Sequence, residues 1–282
     1  MKIAVAGLGL IGGSFALALK KRTSHTVLGL DADPETVRAA ISCGAVDEII
    51  SPDRLDRAEL SLIALPPRAA LTFLQEQAPR FAEGSLVADL CGVKEKIVAA
   101  GEAALHPRTA FLGCHPMAGK EKGGFANASA DLFEGASLIL TPTPNTPPKA
   151  VKVLTDLAAE VGFGRVALSS PAEHDRIIAF TSQLCHAVSG AYVQSPMADL
   201  AAGFTGGSYE DFTRVAEMDP ALWSQLFAEN RENLLAELAG LRERLAELEG
   251  HLRRGEEEAL RALLKSWSDR KKELLRAGKT EA

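Results

Sequence analysis

The N-terminal stretch MKIAVAGLGLIGGSFALALKKRTSHTVLGLD, residues 1–31, decides the fold. An apolar run, Lys2–Ala6, meets Gly7-Leu8-Gly9-Leu10-Ile11-Gly12; a helical pattern follows, then a second run, Thr26–Asp31. A Gly-x-Gly-x-x-Gly between strand and helix marks a dinucleotide-binding βαβ unit. Gly7 permits the tight turn, Gly9 lets a pyrophosphate approach the backbone, and Gly12 lets the helix pack on the strand. The helix N-terminus, with Leu10 and Ile11 in its first turn, offers free N–H groups and a positive dipole end to the phosphates. Asp31 falls 19 residues after Gly12, where a carboxylate can accept bonds from a ribose hydroxyl. An acid there repels a 2′-phosphate, and the first basic residue beyond it is Arg38, so NAD is favoured over NADP as cofactor. Asp33, followed by Pro34, reads more simply as a helix N-cap.

The rhythm continues outward from this unit. Further short apolar runs occupy Leu60–Leu65, Ser85–Asp89, Ala110–Cys114, Ser137–Thr141 and Arg165–Leu168. Amphipathic stretches lie between them, at Pro34–Cys43, Arg68–Gln77, Lys94–Ala104 and Pro148–Val161. Repeated βαβ units predict an α/β fold whose N-terminal part is a Rossmann-type, doubly wound, mainly parallel sheet. One connection breaks the pattern: His115 to Gly135 is a long loop rich in glycine and charge, and such loops usually carry function. After Ser169-Ser170-Pro171 the strand signals stop, which predicts an all-helical C-terminal domain. The expected division is 1–168 and 169–282. Residues 172–202 read as a long apolar helical region, Gly203–Tyr209 as a glycine-rich loop, and Asp219-Pro220 as the start of a further helix. Leucines at 234, 238, 241, 245, 248 and 252 keep a heptad spacing as far as Gly255, and Glu256–Leu275 forms a last helix. The seam reads either as an antiparallel hairpin within one subunit or as a subunit interface.

Composition limits the partners. The 282 residues are 46% hydrophobic and 24% charged, with a formal net charge of −6. That field holds neither nucleic acid nor an anionic membrane, so an anionic ligand must meet local positive charge in a pocket. The four cysteines (Cys43, Cys91, Cys114, Cys185) share no C-x-x-C spacing, as expected of a reduced, cytoplasmic protein. Cys114–His115 and Cys185–His186 are adjacent pairs, but neighbouring side chains rarely reach one ion, and no metal is expected. The N-terminal run is broken by glycines and lacks a cleavage signature, so it is not a signal peptide. No apolar stretch is long enough to span a bilayer.

The carboxyl ends of parallel strands form the edge where ligands bind. His115 follows the run Ala110–Cys114 directly, and a histidine there can take a proton from an alcohol at neutral pH. A lone histidine at a strand end is as often structural. Gly92-Val93-Lys94 would line the same edge, with Leu65, Pro66 and Gly92 expected on the cofactor side.

At this point the chain resembles the prephenate dehydrogenase family. The resemblance rests on GLGLIGGS at 7–14, DLCGVK at 89–94, GCHPMAGKEKGG at 113–124, EHD at 173–175, SQLCHA at 182–187 and YEDFTRVAEMDPALW at 209–223. HPMAG and DFTR-x₈-W are specific to it, whereas many dehydrogenases share the glycine fingerprint. The resemblance implies oxidative decarboxylation of prephenate to 4-hydroxyphenylpyruvate, with NAD as oxidant, in tyrosine biosynthesis. It also implies a homodimer built on the helical domain. By the same resemblance, His115 bonds the ring 4-hydroxyl, Arg214 grips a substrate carboxylate, and His186 is a second substrate-side histidine. Ser182, Glu121 and Trp223 surround the pocket.

Two positions depart from the family pattern. Members often carry serine where this chain has Gly92, so its hydroxyl is missing beside His115. A small hydroxyl residue is common where Lys120 stands; the lysine either adds a cation for a carboxylate or is simply solvated. No residue separates prephenate from arogenate, although NAD preference leans toward prephenate. The chain is expected to be monofunctional, without a regulatory module or a chorismate mutase segment. Two rivals are another two-domain NAD(P) oxidoreductase, such as a β-hydroxyacid dehydrogenase, and a non-catalytic dimeric NAD sensor.

Overall fold

The computed structural model describes residues 1–280, with side chains as far as Arg276. Among the described residues eight strands form one sheet: β1 (Lys2–Ala6), β2 (Thr26–Leu30), β3 (Glu48–Ile49), β4 (Leu60–Ile63), β5 (Leu86–Asp89), β6 (Ala110–Pro116), β7 (Ser137–Thr141) and β8 (Arg165–Leu168). Their order is β3-β2-β1-β4-β5-β6-β7-β8. All neighbours are parallel except β6 and β7, which run antiparallel. Around the sheet lie α1 (Leu10–Arg22), α2 (Pro34–Ser42), α3 (Pro67–Gln77), α4 (Glu95–Ala104) and α5 (Pro148–Val161). The helical part follows as α6 (Pro171–Ile178), α7 (Leu184–Tyr192), α8 (Gly207–Thr213), α9 (Pro220–Glu229), α10 (Arg231–Arg254) and α11 (Glu257–Thr280). The expected architecture, a mainly parallel doubly wound sheet followed by helices, is the one observed.

A parallel sheet is covered on both faces, so its strands read as continuous apolar runs. Alternation along β1 divides them: Ile3 and Val5 enter the core layer under α1 and α5, while Ala4 and Ala6 enter the layer under α3 and α4. In the first layer Phe133 sits 4.5 Å from Phe15 and 4.9 Å from Phe163, ring centre to ring centre. Helix starts follow their caps. Asp33, Ser170 and Asp219 each accept backbone N–H bonds from the first turn of α2, α6 and α9, and each precedes a proline at the first helical position. Gly162, at φ +104°, closes α5 in the left-handed conformation that favours glycine.

Four sequence expectations change in detail, the first being that the glycine-rich loop read at Gly203–Tyr209 ends early, because α8 begins at Gly207. The two-residue β3 was not expected, since Glu48-Ile49 is too short to make a run. β6 continues through Pro116, so His115 is a strand residue paired with Ile139 rather than the first loop residue. Residues 172–202 are not one long helix; a π-helical turn, Ala179–Gln183, separates α6 from α7, and a 3₁₀ turn follows at Pro196–Leu200.

The chain divides into two compact units, Met1–Leu234 and Leu235–Ala282. In the second unit α10 and α11, joined through Gly255 at φ +69°, do not pack along each other as a hairpin would, among the described residues. Leu245, Leu252, Leu264 and Leu274 remain exposed. No helix of the described residues is long and apolar enough to cross a membrane.

Candidate active site

Sheet order places β1 beside β4, and the chain leaves these strands toward opposite edges of the sheet, the switch point where ligands bind in open α/β sheets. The glycine turn occupies that crevice. Gly7 has φ +88°, and a Cβ there would lie 2.5 Å from the Ala64 carbonyl oxygen and 2.8 Å from Leu65 Cδ2. A Cβ on Gly12 would lie 1.8 Å from the Gly7 carbonyl oxygen. Neither position admits a side chain. Gly9 contrasts with both, because a Cβ there would meet nothing within 4 Å among the described residues. The turn is therefore closed against the sheet and open on its outer side, above the first turn of α1, where Leu10, Ile11 and Gly12 present N–H groups without intrahelical acceptors. Asp31 is held beside it: Oδ2 accepts from Leu8 N at 2.7 Å and Oδ1 from Asp33 N at 2.9 Å. Pro66 precedes α3, and the Leu65 carbonyl oxygen accepts from Cys91 Sγ at 3.4 Å, tying the ends of β4 and β5. An open backbone cradle, a helix N-terminus and a fixed acid together fit a dinucleotide without a 2′-phosphate.

Two strands further along the same edge, His115 Nδ1 lies 2.9 Å from His174 Nε2, and His174 Nδ1 lies 2.7 Å from Asp175 Oδ1. The other ring nitrogen of His115 faces Gly92, where a Cβ would sit 3.7 Å from Nε2 and 3.2 Å from Leu226 Cδ2 of α9. A serine at position 92 would thus bring its hydroxyl against the histidine. Beneath the ring, Asp89 and Lys94 form an ion pair with no exposed surface on either side chain. Asp89 Oδ2 also accepts from Cys91 N at 2.9 Å, while buried Oδ1 has no hydrogen-bond partner among the described residues. Lys94, expected to line the edge, lies fully buried below it because this carboxylate draws its ammonium inward. Burial, with His174 and the Lys94 cation beside it, pushes the His115 pKa well below the usual histidine range. Burial raises the Asp89 carboxyl above its ordinary range, and the Lys94 ammonium opposes it.

The helices of the first unit close over this edge. α9 is anchored where Arg68 N donates to Gln225 Oε1 at 3.2 Å, and Lys96 Nζ meets Glu229 Oε2 at 2.8 Å. Buried Asn230 donates to the Asp175 carbonyl at 2.8 Å and to Gln183 Oε1 at 2.9 Å. Trp223 stacks on His186 with ring centres 3.7 Å apart. His186 Nδ1 lies 2.9 Å from the carbonyl oxygen of Ser182, which belongs to the π-helical turn. Because a carbonyl only accepts, His186 Nδ1 carries the proton. Burial lowers the His186 pKa; Ser182 opposes the shift and Arg214 adds to it. Arg214 is exposed. Its Nη1 lies 2.6 Å from Glu121 Oε1, in the loop after β6. A bond from its own backbone N–H and then the Arg214 guanidinium hold the Glu121 carboxyl low. Lys120 donates to the Asn127 carbonyl at 2.7 Å within its own loop.

Of the residues singled out in the sequence, the structure gathers Gly7, Gly9, Gly12, Asp31 and Leu65 in one crevice. It gathers His115 and Gly92 in a second cluster, His186, Ser182 and Trp223 in a third, and Arg214 with Glu121 in a fourth. Sequence reasoning missed parts for Asp89, His174, Asp175 and Asn230. Asp89 and His174-Asp175 stand inside the quoted DLCGVK and EHD segments, so those motifs were the available signal; Asn230 lies outside any motif.

The comparisons with known proteins fit this geometry. Residues 15–168 match a family model described as prephenate dehydrogenase, nucleotide-binding domain, and residues 170–266 one described as prephenate dehydrogenase, dimerization domain. A prephenate dehydrogenase of Bacillus subtilis is 35% identical over 83% of this chain, which spans 65% of that relative's length. A cyclohexadienyl dehydrogenase of Zymomonas mobilis is 32% identical, covering 88% of this chain and 89% of its own. The crystal structure of the Aquifex aeolicus prephenate dehydrogenase with hydroxyphenyl propionate and NAD⁺ superimposes with a TM-score of 0.87. It is 32% identical, covering 97% of this chain and 98% of its own. Two family models matched in succession along the chain, and relatives similar over nearly their whole length, lead to one conclusion: this chain belongs to the prephenate dehydrogenase family.

Proposed function

We propose that this protein catalyses the NAD-dependent oxidative decarboxylation of prephenate to 4-hydroxyphenylpyruvate. The observation that carries the reading is His115 on the ligand edge of the sheet, its Nε2 toward Gly92 and its pKa held below the usual range. Such a histidine is a free base at neutral pH, able to take the proton of the ring 4-hydroxyl as hydride leaves C4. NAD⁺, when bound along Gly7, Gly9, Leu10, Ile11, Gly12, Asp31, Leu65, Pro66 and Gly92, supplies the hydride acceptor. Loss of CO₂ from the resulting dienone is driven by aromatisation, so the protein's work is orientation and proton acceptance. Arg214, kept at hand by Glu121, is the cation for a substrate carboxylate. His186, with Nε2 unprotonated and its ring braced on Trp223, borders the same pocket with Ser182. Lys120 braces its loop.

In this reading residues 1–168 hold the cofactor, and 169–282 hold the substrate and the partner in a cytoplasmic homodimer. The family model's description of the C-terminal half and the exposed leucines of α10 and α11 support the dimer. Light scattering at micromolar concentration should return twice the chain mass; a monomer would end that part of the reading. NADH formation with prephenate, with arogenate and without substrate tests the activity. NADH with prephenate is the expected result. NADH with arogenate alone changes the substrate, and none with either overturns the reading.

A further inference from the structure

We infer that His174 is a positioning residue that fixes His115 as its Nδ1–H tautomer, leaving a lone pair on Nε2 toward the position of the reacting hydroxyl. The inference rests on the proposed role of His115 as proton acceptor and concerns how the fold prepares it.

Two backbone groups of fixed polarity anchor the arrangement. The backbone N–H groups of Lys94 and Glu95, at the start of α4, donate to Asp175 Oδ1 at 2.8 Å and Oδ2 at 2.9 Å. A backbone N–H is never an acceptor, so both oxygens of Asp175 must accept. Asp175 Oδ1 then accepts from His174 Nδ1 at 2.7 Å, which places the His174 proton on Nδ1. Burial, the largest influence, lowers the His174 pKa; Lys94 adds to this, while Asp175 and Asp89 oppose it. A neutral ring protonated at Nδ1 carries its lone pair on Nε2. That nitrogen stands 2.9 Å from His115 Nδ1, which must therefore be the donor. His115, kept neutral by burial beside His174 and Lys94, has only one N–H, so its Nε2 is bare.

The chain of bonds thus transmits the polarity of two backbone amides to Nε2 of His115. Which nitrogen of a histidine is protonated is set by what the other nitrogen bonds, and here nothing but His174 bonds Nδ1 of His115 among the described residues. Without that acceptor, a His115 protonated at Nε2 offers no lone pair to the hydroxyl. On reaction the proton moves from the substrate oxygen to Nε2. The imidazolium that forms still donates through Nδ1 to His174, whose partner is the Asp175 carboxylate. In Asp–His pairs of this logic, inverting the tautomer costs about 10⁴-fold in kcat. Asp175 also caps α4, so its removal mixes folding with catalysis; His174 is the cleaner position to probe.

The test reads the tautomer directly, by ¹⁵N chemical shifts of imidazole-labelled protein above pH 7, with the His115 signals assigned by their loss in His115→Asn. In the wild type Nδ1 should be protonated and Nε2 bare. His174→Phe fills the volume without an acceptor, and should abolish this preference and lower kcat by roughly 10–100-fold, leaving the KM for NAD⁺ unchanged. His174→Gln supplies a carbonyl oxygen toward His115 and an NH₂ toward Asp175, and should restore both readouts in part. A wild-type His115 protonated at Nε2 overturns the inference. So does a His174→Phe that keeps both the tautomer and kcat. The tautomer is measured without substrate, so failure to oxidise prephenate would remove the proposed function and leave this result standing. If His174→Phe does not fold, the wild-type tautomer and His174→Gln still decide.

Discussion

Arg214 Nη1 stands 2.6 Å from Glu121 Oε1, joining the 3₁₀ turn after α8 to the loop that follows β6. The guanidinium is exposed, and a carboxylate keeps it near the site. A dianionic substrate entering a protein of net charge −6 needs such a local cation, and the planar fork suits a carboxylate. Arg214→Ala should lower kcat/KM for prephenate by roughly 30-fold or more, leaving the KM for NAD⁺ and the melting temperature nearly unchanged. Arg214→Lys should recover only part of the loss, because an ammonium cannot reproduce the bidentate geometry. A change below about fivefold would make Arg214 a surface residue without a substrate role.

Asp31 both faces the glycine turn and holds it through Leu8 N, which separates two effects. The wild type should prefer NAD⁺ to NADP⁺ by on the order of 100-fold in kcat/KM, the cost of setting a 2′-phosphate against a carboxylate. Asp31→Asn keeps an acceptor for Leu8 N and removes the charge, so it should narrow the preference with little change in stability. Equal use of both cofactors by the wild type would show that Asp31 does not meet the ribose.

The Asp89–Lys94 pair makes a prediction about stability. Neither side chain has exposed surface, so Lys94→Met leaves a buried carboxylate without its cation and should cost about 3–5 kcal/mol. Adding Asp89→Asn keeps an acceptor for Cys91 N and removes the orphaned charge, and should recover at least half of the loss. Urea unfolding with an unchanged slope reads both variants. A single variant as stable as the wild type would contradict the pairing.

These buried groups also mark where sequence reading stops. The glycine turn was legible because its glycines fall within six residues and two of them, Gly7 and Gly12, leave no room for a side chain. Strands such as β1 were legible because burial on both faces makes them uniformly apolar. α5 was legible because its apolar positions repeat at helical spacing and a left-handed glycine ends it. The His115–His174 contact spans 59 residues, and the Lys94–Asp175 cap spans 81. No periodicity announces a bond between residues so far apart. His115 was legible from its place at a strand end and the resemblance supplied Arg214 and His186 by motif, but neither said what holds them. The π-helical turn at Ser182 left no compositional trace, because it differs from an α-helix by one inserted residue rather than by residue type.

Gly92 tests the crevice itself. A Cβ there would sit 3.7 Å from His115 Nε2 and 3.2 Å from a flexible leucine tip, so Gly92→Ser fits with a small shift of Leu226 and should remain active. Gly92→Val carries two further methyl groups into the same gap, and should lower kcat by up to about 10²-fold through misplacement of the ring. Equal activity in both would mean that substrate does not approach His115 from this side.

Whether His115 accepts the substrate proton is read from the pH dependence of kcat/KM, measured with prephenate and NAD⁺ in the wild type and in His115→Asn. Burial, His174 and Lys94 all disfavour the imidazolium, so the folded pKa lies below the ordinary value of about 6.5. The unfolded chain then binds the extra proton first. This group therefore costs no stability above pH 6.5, and destabilises the fold as pH falls below that value toward the folded pKa. By the same sign, kcat/KM should stay level as pH falls through about 6.5 and decline only at lower pH. His115→Asn should lower kcat/KM roughly 10²–10⁴-fold and lose that acidic decline while still binding NAD⁺. Near-normal turnover in His115→Asn, or an acidic limb that persists without the histidine, would contradict the account.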